Sequence, residues 1–346
     1  MKITFFRHSL LSRGGDKMVL AHASNLATVG HQVTIMTNRV DTVFNINPMI
    51  RIQPLSFSRQ LGTLMSALAK PFEGDMVIAD IIPLACLLAL RNKRVVYFAQ
   101  DYDESYYASL PMKWLIRCLY HVSLRLFRVP VIAVSTHLAG LLTQRFKAQV
   151  MVVENGVDTG VFYPDPDPEL ITSKGERKAV LLLSRSDRRK GFDIARQIVA
   201  CLRTTHQGLF EIWTVGERCP GIFPDDVHRD FGYVNEEEFR RIMSSADMFL
   251  YPTRHEGFGL MPLEGFACKC PVITTEVVPM AHHLVNAFVA RIEDVEEMLT
   301  HAVALLNDSE LAGGLVERAY TGACDCSLAR SVVKFEAAVN ALSREG

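Results

Sequence analysis

Short, mostly apolar runs recur along this chain, each followed by a helical pattern, and the series starts afresh after a proline-rich break. In the first series the spacing predicts strands at Lys2–Phe6, His31–Thr37, Met76–Ala79, Arg94–Phe98, Val131–Val134 and Val150–Val153. An amphipathic helix is expected between the first two, from the Gly14-Gly15 turn to about Val29, with Gly30 ending it. Strands that alternate with helices, and that read as continuous apolar runs, argue for a parallel, doubly wound sheet buried on both faces. Asp158 to Pro168 then interrupts the pattern with Pro164, Pro166 and Pro168, which suits an interdomain linker.

The second series predicts strands at Ala179–Ser184, Phe210–Val215, Ala246–Tyr251 and Val272–Thr274, and helices at Gly191–Arg203, Glu236–Ser244, Val295–Leu306 and Ser327–Leu342. Two sheets of similar size joined by a linker would leave a cleft between them. A length of 346 residues is ample for two domains, taking roughly 150 residues each.

Composition excludes several classes. The formal net charge is -1, so no overall basic field calls for nucleic acid. No apolar stretch approaches the roughly 18 residues of a spanning helix, and the N-terminal segment lacks the apolar core of a signal peptide. The eight cysteines are Cys86, Cys118, Cys201, Cys219, Cys268, Cys270, Cys324 and Cys326. Their C-x-C pairs lack common zinc spacing, and a reduced, cytoplasmic protein is the expectation. Neither series carries G-x-G-x-x-G after its first strand, which argues against a nicotinamide-dependent oxidoreductase.

The chemistry concentrates after the Ala246–Tyr251 strand. His255-Glu256-Gly257-Phe258-Gly259-Leu260-Met261-Pro262-Leu263-Glu264 sets two carboxylates around a glycine-bearing loop, and Pro262 suits the first turn of a following helix. Open α/β sheets bind ligands at the carboxyl ends of their strands. Gly257 and Gly259 permit close backbone approach, and a helix start offers unpaired N–H groups to an anion. A ligand with both phosphate and hydroxyl groups fits, as a nucleotide sugar does. The plainer reading of Glu264 is a first-turn acid facing the helix dipole.

Four other features fall near predicted strand ends: Arg13-Gly14-Gly15-Asp16, Glu154-Asn155-Gly156-Val157-Asp158, Arg185 to Gly191, and Phe231-Gly232-Tyr233-Val234. In this order, with the Glu256 to Glu264 spacing matching an E-x₇-E signature, the set resembles glycosyltransferase family 4 over nearly the whole chain. The resemblance implies a GT-B architecture: two Rossmann-like α/β domains, with parallel sheets, facing across a cleft. It implies an acceptor-side domain at 1–164, a nucleotide-sugar domain at 165–325, and a terminal helix at 326–346 packing back toward the first domain.

By the same resemblance, Arg185 and Lys190 would grip the donor diphosphate, Glu256 the transferred sugar, and Glu264 the ribose. Gly257, Phe258, Gly259 and Leu260 would cradle the sugar, Gly232 and Val234 would border the base, and Gly14 and Gly15 would approach the phosphate. With two cations and helix N–H groups at the diphosphate, neither metal nor cofactor is required. The basic run Arg188-Arg189-Lys190 also has a plainer reading, a solvated turn. The family often carries Pro-Glu after the strand following its E-x₇-E helix; here Met280 follows Pro279, and neighbouring glycines are missing.

Asp101 and Asp103 follow a first-half strand, where Asp101 is assigned to acceptor chemistry or to a solvated loop. His8 follows the first strand. Residues 111–129 read as a basic amphipathic helix for peripheral contact with a membrane's inner surface, or as a surface helix with a solvated stripe. The resemblance implies retaining sugar transfer from a nucleotide sugar, and the acceptor class it suggests is a saccharide or lipid-linked glycan of surface-polysaccharide synthesis. A nucleotide-sugar-binding regulatory protein without transfer activity, or a sugar-nucleotide epimerase on the same architecture, stays open.

Overall fold

The computed structural model describes every residue except 56–59, 70–71, 73, 93, 207 and 345–346. The chain forms two compact units, Met1–Asn155 with Leu328–Gly346, and Gly156–Ser327.

The first unit holds a parallel sheet of β1 (Lys2–Phe6), β2 (Gln32–Thr37), β3 (Arg51–Pro54), β4 (Met76–Ala79), β5 (Val95–Ala99), β6 (Val131–Ala133) and β7 (Val150–Val152). They lie in the order β3-β2-β1-β4-β5-β6-β7. Ser9–Leu11 and Arg39–Asp41 form a small separate pair. β4, β5 and β6 are buried at every residue, which is why they read as unbroken apolar runs. The helix Leu328–Arg344 completes this unit. Its Phe335 is fully buried against Phe5, Phe98 and His22, and Ser331 Oγ donates to Glu154 O at 2.6 Å.

The second unit holds β8 (Lys178–Ser184), β9 (Phe210–Gly216), β10 (His228–Gly232), β11 (Met248–Tyr251), β12 (Val272–Thr275) and β13 (Phe288–Ala290), in the order β10-β9-β8-β11-β12-β13. All pairings are parallel, with Ser184 opposite Gly216 and Tyr251 opposite Thr274. Val180, Leu182, Ile198, Leu202, Leu250 and Met298 form the centre of one continuous core. Both sheets therefore run 3-2-1-4-5-6 through their first six strands. In that order the connections diverge on either side of the first strand, and a crevice opens at the carboxyl edge between strands one and four. In the second unit this places it between β8 and β11.

Several elements differ from the sequence expectations. The unit boundary falls at Asn155–Gly156, ahead of the proline-rich stretch. That stretch is held firmly within the second unit: Val157 pairs with Ser327, Asp165 accepts from Arg240, and Asp167 caps the helix Pro168–Lys174. A helix at Ser309–Asp325, unforeseen because Gly313, Gly314 and Gly322 dilute its signal, buries Leu315, Ala319 and Ala323 along one face. The expected helix over 111–129 is interrupted: an α-helix at Leu110–Tyr120 continues as a π-helical turn at His121–Leu126.

Candidate functional site

The loops after β8 and β11 meet at the second unit's crevice. After β8, Asp187 caps a short 3₁₀ turn, accepting from Arg189 N–H at 3.0 Å and from its guanidinium at 2.7 Å. The three consecutive basic residues therefore have different roles. Arg188 is exposed, Arg189 is paired with Asp187, and Lys190 is turned inward.

Lys190 Nζ lies 2.7 Å from Glu256 Oε1. The same oxygen accepts the Tyr251 hydroxyl at 2.5 Å. Burial opposes a charge on Lys190, but Tyr251 and Glu256 outweigh it and hold the ammonium above the ordinary lysine range. Burial, then the Glu256 charge, push the Tyr251 phenol above its usual range. Lys190 thus stays cationic and Tyr251 stays protonated at neutral pH.

Hydrogen bonds tie the loops to the sheet. Thr253 Oγ1 donates to Arg189 O at 2.9 Å, Arg254 N–H to the same carbonyl at 2.7 Å, and Thr275 Oγ1 to Thr253 O at 2.6 Å. Arg254 reaches both carboxylate oxygens of Asp193, at 2.7 and 2.8 Å. Gly191 makes this closeness feasible. Its φ is +71°, and a Cβ there would stand 1.8 Å from Pro252 O. Gly191→Ala is expected to cost at least about 1–3 kcal/mol of stability for backbone strain alone, read as a lower midpoint of chemical denaturation. A variant as stable as the parent would contradict the close approach.

Glu264 stands further along the same segment. The helix Leu260–Ala267 begins after Gly259, whose φ is +97° and whose Cβ position lies 2.8 Å from Val278 Cγ1. Glu264 is its fifth residue and is buried, so the first turn carries no acid and the dipole reading does not apply. Pro262 does occupy that first turn. Gly257, Phe258 and Gly259 form the loop into the helix, and Leu260 opens it. Val278 shows where the altered Pro279 region sits: its loop packs against the glycine loop.

Arg185, which follows β8, turns to the end of β10, two strands along the sheet. Its guanidinium lies 5.1 Å from the Tyr233 ring centroid, and Nη1 donates to the Tyr233 hydroxyl at 3.0 Å. It therefore stands by the Gly232–Val234 segment that closes β10. Tyr251 is the site residue that sequence reading passed over, taking it for the last residue of a buried strand. Its one signal was a phenol placed immediately before the loop.

The first unit's equivalent crevice, between β1 and β4, is bordered by paired charges. Arg7 pairs with Asp16 and, at 3.1 Å, with Asp80. His8 Nδ1 lies 2.6 Å from Thr63 Oγ1, and burial lowers its pKa despite the opposing Asp80 charge. Gly14 and Gly15 open the helix Gly14–Thr28, where a Cβ on Gly15 would meet Gln100 Oε1 at 2.8 Å. Asp101 follows β5 and accepts Tyr102 N–H at 2.7 Å. Asp103 is committed to the fold. Buried, it accepts the Ile82 N–H at 2.5 Å at the start of the helix Ile82–Ala89. Burial, its largest influence, raises its pKa well above the carboxylate range.

Known proteins match both units. The model described as Glycosyltransferase Family 4 matches residues 12–161, and that described as Glycosyl transferases group 1 matches 177–308. The chain is 35% identical over 81 residues to O-antigen chain mannosyltransferase B of Escherichia coli, covering 23% of this chain and 21% of that protein. It is 25% identical over 241 residues to the phosphatidyl-myo-inositol mannosyltransferase of Propionibacterium freudenreichii, covering 68% of this chain and 58% of that one. The chain spans 21% to 58% of the lengths of the curated relatives it matches.

In structure it resembles sucrose-phosphate synthase from Thermosynechococcus elongatus, at a TM-score of 0.84 and 17% identity over the whole of both chains. Anabaena HepE in complex with UDP-glucose aligns at a TM-score of 0.77 and 15% identity, over 99% of this chain and 100% of that one. The fold is α/β with the two-domain organisation of GT-B proteins. The chain is related to members of glycosyltransferase family 4.

Proposed function

We propose that this chain is a retaining family 4 glycosyltransferase. It would move a sugar from a nucleotide-sugar donor to a saccharide or lipid-linked glycan acceptor in surface-polysaccharide synthesis. The observation that carries this reading is the meeting of Lys190 and Glu256 at the second unit's crevice. Breaking a glycosyl–phosphate bond builds negative charge on the leaving diphosphate and positive charge on the sugar. A cation brought to the diphosphate and a carboxylate held at the sugar stabilise the transition state more than the ground state.

Arg185 and Lys190 are assigned to the diphosphate, where the planar guanidinium can grip two oxygens and the ammonium acts as a point charge. Glu256 is assigned to the sugar and Glu264 to the ribose. Gly257, Phe258, Gly259 and Leu260 surround the sugar, and Gly232 and Val234 border the base. Gly14 and Gly15 are assigned to the phosphate, and Asp101 to the acceptor hydroxyl. The names of the relatives, two of them mannosyltransferases, support a sugar-transfer reading.

Thermal shift with a panel of nucleotide sugars identifies the donor, since a ligand that binds the native state raises its stability. Release of nucleoside diphosphate together with a glycosylated acceptor, its anomeric configuration retained by NMR, supports transfer. Binding without turnover overturns it in favour of a regulatory protein.

A lipid-linked acceptor bears on the Leu110–Leu126 segment. Leu110, Trp114 and Leu126 are 79%, 68% and 71% exposed, with Arg125 and Arg128 exposed nearby. Arg117 is paired with Glu104 through both carboxylate oxygens, at 2.6 and 2.5 Å, so its charge is partly offset on this surface. No helix among the described residues is long and apolar enough to cross a membrane. We assign this surface to peripheral contact with anionic lipid. Vesicles containing phosphatidylglycerol should sediment the parent, and Leu110→Ala with Trp114→Ala should weaken that binding. Equal, negligible binding to anionic and neutral vesicles would end the assignment.

A further inference from the structure

Glu256 carries its contacts on one oxygen. Oε1 accepts from Lys190 at 2.7 Å and from Tyr251 at 2.5 Å, with Thr253 Oγ1 3.3 Å away. Thr253 has one hydroxyl proton and nearer acceptors, Arg189 O at 2.9 Å and His255 O at 3.2 Å. The firm donors to Oε1 are therefore Lys190 and Tyr251. Among the described residues no donor falls on Oε2, which is the oxygen available to a ligand hydroxyl.

The two donors differ in freedom. Lys190 is a flexible ammonium with its side chain 28% exposed, and an anionic diphosphate would compete for it. Tyr251 cannot follow a ligand. It is 1% exposed, stacks on Phe249 at 5.3 Å, and its own carbonyl accepts Thr274 Oγ1 at 2.9 Å.

We infer that Tyr251 is the positioning residue of sugar recognition: its hydroxyl pins Oε1 of Glu256, so that Oε2 stays aimed at the transferred sugar when Lys190 turns to the diphosphate. The inference rests on the donor-binding reading above. It predicts a split between the two ends of the ligand. Tyr251 would matter for the sugar end, whereas Lys190 would matter for the phosphate end and hence for every ligand carrying it.

Isothermal titration of parent, Tyr251→Phe and Lys190→Ala with UDP, UDP-glucose, GDP and GDP-mannose tests this. For whichever pair binds, Tyr251→Phe should lose about tenfold in affinity for the nucleotide sugar, in keeping with a hydrogen bond to a charged group, and stay within about twofold for the diphosphate. Lys190→Ala should weaken both. Phenylalanine keeps the buried ring, and partial unfolding would lower the binding stoichiometry rather than the ratio of the two affinities. If Tyr251→Phe binds both ligands as the parent does, or weakens both alike, the inference fails while the donor reading stands. If the parent binds none of the four and no other nucleotide sugar of the thermal-shift panel, the donor reading fails and takes the inference with it.

Discussion

Lys190→Ala is expected to lower kcat/KM for donor turnover about 10²- to 10³-fold, equivalent to about 2.7–4 kcal/mol, the range for losing one preorganised electrostatic contact to developing charge. The cause is geometric. Lys190 leaves a short turn whose shape is set by Asp187 and by the close approach of Gly191 to Pro252. The backbone below the ammonium is therefore held before any ligand arrives, and little reorganisation accompanies bond cleavage. Near-parent turnover in Lys190→Ala would show that the diphosphate lies elsewhere.

A double variant separates two ways in which Lys190 could act. If it serves only to hold Glu256, a Lys190→Ala, Glu256→Ala double variant should be no worse than the poorer single variant. If it also binds the diphosphate, the double variant should be slower than either. The proposed mechanism requires the second result. Melting curves for all three variants are needed alongside, because removing one member of a partly buried ion pair leaves the other poorly compensated.

The fold was legible because buried parallel strands are hard to mistake. Met76–Ala79 and Val95–Ala99 carry apolar side chains on both faces, and only a sheet covered on both sides asks for that. Strands left unseen include Phe288–Ala290, which is short, Arg51–Pro54, which is exposed, and His228–Gly232, which is half-buried and mostly polar, and none of them writes a clear apolar run. In the site, charge and glycine spacing drew attention to Lys190, Glu256 and Gly259. Sequence could not show that Arg189 would be taken by Asp187, that Arg117 would be taken by Glu104, or that a strand-terminal tyrosine would bond to Glu256. Those are choices of partner, fixed only when loops distant in sequence come together.

Acid is expected to destabilise the first unit through one side chain. His22, in the helix Gly14–Thr28, is fully buried, its ring stacked 4.1 Å from Phe335 with Phe98 edge-on at 5.5 Å. Neither ring nitrogen has a hydrogen-bond partner among the described residues. Burial pushes its pKa from 6.5 down to about 3. The unfolded chain therefore takes up a proton as pH falls below 6.5, whereas the folded chain refuses it until about pH 3. Stability linked to the neutral ring is fully present above pH 6.5 and drains away at about 1.4 kcal/mol per pH unit through that window, or roughly 4–5 kcal/mol in all. That is a large share of the roughly 5–15 kcal/mol that holds most domains folded. Urea denaturation of parent and His22→Phe between about pH 7 and pH 4 checks it: phenylalanine cannot take a proton, so the variant should lose stability less steeply than the parent. Parallel slopes would mean that the ring has access to a proton acceptor or to water. The helix Leu328–Arg344 supplies Phe335, so its amide hydrogen exchange in the parent should accelerate early in the same window.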